Sequence, residues 1–202
     1  MQTPTQASTR RCLMPRAANG QTHPPQRSSA DLRAFTRLGG GHAARPLPLR
    51  VALCLARGAS GLLLVSLLLG ATFTAAPLAL AAWVLLLAGA TQWTGKRIAR
   101  HLGAPRPYHL GLSPNHLQQG ARGGWPSSHA VSMACVSAAV WVAGVPPLLV
   151  VSAVLLTLAT GWARIYAGAH FPSDVLAGWG LGLCGGTLGM ALATPWLGSV
   201  GV

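Results

Sequence analysis

No charged side chain occurs between residues 58 and 95, a run that is rich in leucine and alanine. At about 1.5 Å of rise per residue, a single helix of this length would overshoot the ~30 Å hydrocarbon core of a bilayer. Pro77 lies inside the run and is expected to divide it. The run therefore predicts two consecutive membrane-spanning helices.

The composition of the whole chain agrees with a membrane protein. Its 202 residues are 51% hydrophobic and only 8% charged, with a mean hydropathy of +0.45, whereas soluble domains carry roughly 25% charged residues. A net charge of +13 would suggest a nucleic-acid partner in a soluble protein, but the arginines are concentrated before Arg57 and in one later loop. We therefore expect the lipid bilayer as the partner, and no nucleic acid.

Five apolar segments follow the polar N-terminal part, and each is long enough, or nearly so, to cross a bilayer. They cover about residues 50–75, 76–94, 127–144, 147–163 and 172–194. The predicted fold is all-α, an integral-membrane helical bundle of about five transmembrane helices. A sixth would be present if residues 32–49 also entered the membrane.

The chain is expected to have one folded domain between two tails. Residues 1–48 are rich in Arg, Pro and Ser and lack a sustained apolar period, so they are predicted to form a basic, mostly disordered tail. Residues 49–195 would form the membrane domain. Residues 196–202 would form a short C-terminal tail.

A histidine and a carboxylate precede the last apolar segment. Asp174 is one of only two acidic residues in the chain, and His170 lies four positions before it. A carboxylate at the mouth of an apolar segment is costly unless something uses it. The i,i+4 spacing lets it approach the imidazole and fix the tautomer. Arg164 adds a permanent positive charge, so the segment indicates chemistry on an anion.

The start of the third apolar segment predicts an anion-binding site. Ser127 and Ser128 would occupy the first helical turn, where free backbone N–H groups and the helix dipole attract a phosphate-like group. His129 would lie beside that anion. In the preceding loop, Arg106 offers a planar guanidinium suited to phosphate oxygens. Counting the spans puts these residues on the same side of the membrane as His170.

In order and spacing, these residues resemble the three signature motifs of the type-2 phosphatidic acid phosphatase family, in the acid phosphatase and vanadium haloperoxidase superfamily. The motifs are Arg106-Pro107, then Pro126-Ser127-Ser128-His129, then Arg164 with His170 and Asp174. The resemblance covers about residues 50–194. It leaves most of the N-terminal part outside.

The resemblance implies a role for each motif residue. His170 would be the nucleophile that forms a phosphohistidine, Asp174 would orient it, and His129 would protonate the leaving oxygen. The groups that would hold the phosphoryl oxygens are Arg106, Ser127, the backbone at Ser128, and Arg164. The implied activity is hydrolysis, without metal or cofactor, of a phosphate monoester or diphosphate on a lipid such as phosphatidate or a polyprenyl diphosphate.

Three positions depart from the family pattern. A lysine is usual seven residues before the first-motif arginine, and this chain has Ala99 there. Lys96 and Arg100 flank that position on one helical face, and we expect Lys96 to supply the charge. The serine that usually precedes the third-motif arginine is Ala163, and the usual glycine of the second motif is Ser128. These last two changes leave the charged groups in place.

Two alternatives to a phosphatase remain open. A non-catalytic binder or transporter of lipid phosphates would keep the site only for recognition. A membrane metallohydrolase would have four candidate ligands: His116, His129, His170 and Asp174. Against the metal, Arg106 and Arg164 would repel a cation from the same pocket.

Two features bear on the orientation of the site. With five spans, the basic N-terminal part and the site fall on one side, which the positive-inside rule would place in the cytoplasm. The family resemblance favours a site that faces away from the cytoplasm, and phosphate binding would explain the cations of the loop. We expect an outward-facing site in a membrane of the bacterial inner-membrane type.

Overall fold

The structure is a computed structural model that describes residues 27–120 and 123–197. These residues form helices and no strand, which confirms the all-α prediction. The six α-helices in this part of the chain are α1 (Ser29–Leu38), α2 (Pro46–Ala71), α3 (Pro77–Leu102), α4 (Ser128–Val142), α5 (Pro147–Tyr166) and α6 (Pro172–Leu197). Short 3₁₀ helices cover Gly41–Ala43 and Pro107–Leu110.

Proline is the first residue of α2, α3, α5 and α6. Its fixed φ suits the first helical turn, and its missing N–H would have no intrahelical partner there. Pro77 begins α3, so it divides the charge-free run as predicted. At the other end of α3, Gly103 adopts a left-handed conformation with φ of 56° and donates its N–H to the carbonyl of Ala99. This cap ends the helix just before the segment that carries Arg106.

Four of the described helices, α2, α3, α5 and α6, are long and apolar enough to cross a membrane. Large apolar side chains on their outer faces are exposed, among them Leu78 at 84% and Leu148 at 78%, as expected for lipid-facing positions. Helix α4 differs because its 15 residues rise only about 22 Å. Most of its side chains are buried. The five predicted spans are therefore four full-length helices and a shorter inner one.

Helix α6 lies directly against α4 because the α6 residues that face α4 include a row of glycines, which have no side chains. A Cβ at Gly178 would lie 2.7 Å from the carbonyl oxygen of Ser127, and one at Gly182 would overlap the carbonyl oxygen of Val131. Gly186 continues the row one turn later. Small residues at such an interface let two backbones approach closely. This contact brings the start of α6 next to the start of α4.

The prediction of a disordered tail through residue 48 is wrong for its last part, because residues 29–38 form α1 and α2 already begins at Pro46. Ser28 caps α1 by accepting the N–H of Asp31 at 3.1 Å. Phe35 packs edge to face on Phe171, with ring centroids 5.4 Å apart. The sequence does not reveal this helix because it is short and its apolar partner is distant in the chain. The rest of the predicted tail, residues 1–26, and residues 198–202 lie outside the described part.

The N-terminal part and the candidate site lie at the same end of the bundle. The N–H of Gly40 donates to the carbonyl of Tyr166 at 3.0 Å, at the end of α5. The backbone N–H of Arg45 donates to the hydroxyl of the same tyrosine at 3.2 Å. Helix α1 itself has 10 residues, about 15 Å, which is too short to form the sixth span.

Candidate active site

Three segments of the chain meet at this end of the bundle: the loop after α3, the start of α4, and the turn between α5 and α6. Backbone hydrogen bonds join them. The N–H of Ser127 donates to the carbonyl of Asp174 at 2.9 Å, and the N–H of Gly124 donates to the carbonyl of Ala104 at 2.8 Å. The three motifs that are separate in the sequence are therefore adjacent in the fold.

His170 lies at the centre of this junction and is 1% exposed. Its Nδ1 is 3.0 Å from the carbonyl oxygen of Gly124, and its Nε2 is 3.2 Å from Nη1 of Arg106. A carbonyl oxygen only accepts hydrogen bonds, so Nδ1 carries the hydrogen and Nε2 has the free lone pair. The guanidinium of Arg106 donates toward that lone pair.

Asp174 is fully buried behind the imidazole. Its Oδ2 lies 3.5 Å from Nδ1 of His170 and accepts the N–H of Phe171 at 2.9 Å. The backbone bond holds this oxygen on the side of the ring that carries the hydrogen. The i,i+4 spacing therefore brings the carboxylate close to the imidazole, and its orienting role stays a prediction.

The environment of His170 keeps its ring neutral. Burial lowers the pKa of His170 to about 4, and the charges of Arg164 and Arg106 act in the same direction, while the hydrogen bond with Asp174 opposes them. At pH 7 the ring is uncharged. A neutral imidazole can act as a nucleophile once the Nη1–H of Arg106, which lies 3.2 Å from Nε2 in this structure, turns to another acceptor.

Four buried polar atoms of the motifs have no hydrogen-bond partner among the described residues. Oδ1 of Asp174 has an ion pair with Arg27, and the other three are Ser127 Oγ, His129 Nδ1 and Arg164 Nε. Arg164 is only 2% exposed. Buried polar atoms in folded proteins are normally paired, and a buried charge without a partner is costly. An anion beside these groups would supply the missing acceptors. Their arrangement therefore fits an anion-binding site.

A cavity of about 380 Å³ opens beside His129. Its polar lining comes from Lys96, Arg106, Ser128 and His129, and the loop residues Gln118 and Gln119 complete one wall. The positive charges that act on His129 are those of Arg164, Lys96 and Arg106. The cavity thus presents two cations and His129, and one of these cations, Arg106, also contacts Nε2 of the buried His170.

Lys96 is better placed than Arg100 to replace the missing first-motif lysine. It lines the cavity together with Ala99, which occupies the position of that lysine. Its Nζ donates to Oε1 of Gln92 at 2.9 Å, while Arg100 is exposed. The geometry favours Lys96, and its contact with a substrate stays a prediction.

The four candidate metal ligands of the metallohydrolase alternative do not form a coordination group. In the part of the chain that the structure describes, no set of three or more His, Cys, Asp or Glu side chains could hold a metal ion. The Nε2 atom of His170 instead lies 3.2 Å from Nη1 of the Arg106 guanidinium.

Two groups at the site were not predicted from the sequence. Gly124 accepts the Nδ1–H of His170, and a Cβ there would lie 2.9 Å from Cγ of Arg106 and 3.2 Å from Oδ2 of Asp174. Arg27 places its Nη1 2.7 Å from Oδ1 of Asp174. The glycine pair before the second motif could have indicated a close backbone approach. No local signal separates Arg27 from the other arginines of the N-terminal part.

Comparison with known proteins agrees with these observations. The model of the PAP2 superfamily matches residues 77–196, whereas no curated protein matches the chain. The fold is similar to that of a transmembrane PAP2-type phosphatidylglycerolphosphate phosphatase from Bacillus subtilis. The TM-score is 0.66 at 22% sequence identity, over 83% of this chain and 86% of that one. Because the family match covers more than half of the chain and includes all three motifs, this integral membrane protein belongs to the PAP2 superfamily.

Proposed function

We propose that the protein is a lipid phosphatase that hydrolyses a phosphate monoester or diphosphate of an amphiphilic lipid through a phosphohistidine at His170. The observation that carries this proposal is the buried arginine, Arg164, whose Nε has no partner among the described residues, close to the neutral His170. Membership of the superfamily supports the reaction class. The name of the structural relative, a phosphatidylglycerolphosphate phosphatase, supports a lipid phosphate as substrate.

The charges at the site suit a phosphate with two negative charges. Lys96, Arg106 and Arg164 supply three cations around His129. The carboxylate of Asp174 is engaged by Arg27 and the backbone of Phe171, so it does not face the open cavity. Lys96 and Arg106 make the lining of the cavity positive, and together with the buried Arg164 they can stabilise the charge that spreads over the equatorial oxygens during phosphoryl transfer.

In the first step, Nε2 of His170 attacks phosphorus in line with the bond to the leaving oxygen. The N–P bond forms as the P–O bond breaks, and His129 gives the leaving oxygen a proton. Burial and the charges of Arg164, Lys96 and Arg106 lower the pKa of His129 to about 3. The role as acid therefore requires a bound phosphate beside the ring, because its negative charge favours the protonated form. The imidazole gains positive charge, which the carboxylate of Asp174 stabilises across the Nδ1–H.

In the second step, water attacks the phosphohistidine. His129 has lost its proton and takes one from this water, so that the N–P bond breaks and inorganic phosphate leaves. His170 returns to its neutral state with the hydrogen still on Nδ1. The same two histidines therefore serve both steps, and the roles of acid and base alternate at His129.

A membrane substrate fits the position of the cavity. The bundle exposes leucines to lipid, and the cavity lies at one end of it, where headgroups are found. A lipid can keep its tail in the bilayer while its phosphate enters. The hydroxyl of Tyr108 donates to the carbonyl of Gly120 at 3.0 Å and supports the wall formed by Gln118 and Gln119.

Vanadate should inhibit phosphate release competitively, because it adopts the trigonal-bipyramidal geometry that Arg106 and Arg164 are placed to receive. Release should persist after exhaustive chelation, since these arginines take the electrostatic role of a metal ion. The measurement is phosphate release in detergent micelles from phosphatidate, phosphatidylglycerol phosphate and a polyprenyl diphosphate. Loss of activity with chelator and its recovery with zinc would support the metallohydrolase. Binding without release from any of the three lipids would support the binder.

We propose further that the site faces away from the cytoplasm. A cysteine placed at Gln118 on the cavity wall should react with an impermeant thiol reagent in intact cells. The background is Cys12→Ser with Cys54→Ser and Cys184→Ser, because Cys54 and Cys184 are also exposed. A cysteine at Ala75, in the exposed turn at the opposite end of the bundle, is the matched control and should react only after lysis. The reverse pattern would place the site in the cytoplasm.

A further inference from the structure

We propose that Arg27 is a positioning residue that holds Asp174 against His170, so that the N-terminal segment completes the active site. The proposal rests on the phosphatase function stated above. Nη1 of Arg27 lies 2.7 Å from Oδ1 of Asp174, and the two side chains are 8% and 0% exposed. Arg27 precedes α1 and lies well outside the membrane domain that the sequence predicts.

The two oxygens of Asp174 have different partners. Oδ2 accepts the N–H of Phe171 and faces Nδ1 of His170. Oδ1 is fully buried and has no hydrogen-bond partner among the described residues, so the ion pair with Arg27 is what compensates its charge. A buried carboxylate oxygen that loses its counter-charge is strongly disfavoured. Without Arg27, Asp174 would tilt away or take up a proton, and in either case it would no longer hold the His170 ring.

The guanidinium of Arg27 is itself held in one place. Its Nε and Nη2 donate to the carbonyl of Pro105 at 3.1 and 2.8 Å. Its Cζ lies 4.5 Å from the centroid of the Phe171 ring, a distance at which a cation is attracted to an aromatic face. The planar guanidinium of Arg27 therefore connects the carbonyl of Pro105 with the carboxylate of Asp174. Only an arginine offers this set of donors.

Helix α1 brings Arg27 to this position through contacts of its own. Asp31, the other acidic residue of the chain, accepts the N–H of Ser173 at 3.1 Å and its hydroxyl at 2.6 Å. It also pairs with Nη1 of Arg27 at 3.3 Å. Phe35 adds an apolar contact with Phe171. The contacts of Asp31 with Ser173 and of Phe35 with Phe171 hold α1 in place without Arg27. A substitution of Arg27 can therefore test its positioning role without removing these contacts.

The test compares Arg27→Lys with Arg27→Gln, and both with Arg33→Ala on the exposed side of α1. Arg27→Gln removes the charge next to Asp174 and should lower kcat about 10- to 100-fold, the range known for groups that orient metal ligands. The KM should change less than about threefold, because Arg27 does not line the phosphate cavity. Arg27→Lys keeps the charge and should retain more activity than the glutamine variant. Arg33→Ala should behave like the wild type.

A second readout is chemical rescue. Added guanidinium should raise the kcat of Arg27→Ala several-fold and leave Arg33→Ala unchanged, because the ion can occupy the place of the lost side chain. Equal kcat values for the lysine and glutamine variants at equal thermal stability, or a loss confined to KM, would overturn the proposal. A wild-type protein that releases no phosphate from any lipid would contradict the proposed function instead, so the two failures are distinguishable.

Discussion

His170→Asn should lower the turnover of every lipid phosphate substrate by on the order of 10⁴-fold or more, since the nucleophile is lost. The asparagine amide can still donate to the carbonyl of Gly124, as Nδ1 of the histidine does, but it has no atom in the place of Nε2. The variant should therefore fold and bind lipid. Phosphate release over hours, together with thermal unfolding in detergent, measures both properties.

The other two groups around the imidazole provide the controls. His129→Ala should slow release of a poor alkoxide leaving group much more than release of a good one, because its task is to protonate the leaving oxygen. Asp174→Asn should lower turnover less than His170→Asn does, because it disturbs the orientation of the imidazole ring and leaves the bond-forming nitrogen in place. Equal losses in all three variants, whatever the leaving group, would indicate a collapsed site and contradict these roles.

Arg164→Met should lower kcat/KM about 10³- to 10⁵-fold, as found when an arginine that stabilises a transferring phosphoryl group is removed. The same change should leave the thermal midpoint unchanged or raise it. Arg164 is a buried cation whose Nε has no partner in the described residues, and replacing such a charge by an apolar side chain of similar length relieves its desolvation cost. Stabilisation of the protein by vanadate should disappear.

The matched control is Arg97→Met. Arg97 is exposed and lies over the Trp93 ring, with its Cζ 4.7 Å from the centroid, so its loss should affect neither activity nor vanadate binding. An Arg164→Met protein that is destabilised but still active would show that this arginine is a structural ion and not the anion-binding group.

The sequence predicts the helices well wherever a local signal defines them. Charge-free runs and the prolines at residues 77, 147 and 172 mark where α3, α5 and α6 begin. The length of α4 is harder to predict, because a helix that is buried on nearly all sides reads as a membrane span even when it is short. Helix α1 is not predicted from the sequence, because it is held by contacts with Phe171 and Ser173, which are distant in the sequence.

Some residues of the candidate site can be predicted from the sequence, and others cannot. The motif spacing predicts His170, His129 and Arg164 as site residues, because each is a chemically distinctive side chain at a recognisable position. Gly124 contributes a carbonyl oxygen, which every residue has, so no residue type reveals it. Arg27 is one of many N-terminal arginines, and only the folded chain shows that it is the one beside Asp174.

The central claim is that phosphorus becomes bonded to Nε2 of His170. The most direct measurement is rapid quenching of the enzyme at alkaline pH during turnover of a lipid substrate labelled in its phosphate, followed by analysis of the protein. Phosphohistidine survives base and hydrolyses in acid, so we expect an acid-labile phosphoprotein in the wild type and none in His170→Asn. Steady turnover with no label on the protein, or equal labelling of the His170→Asn variant, would contradict the account.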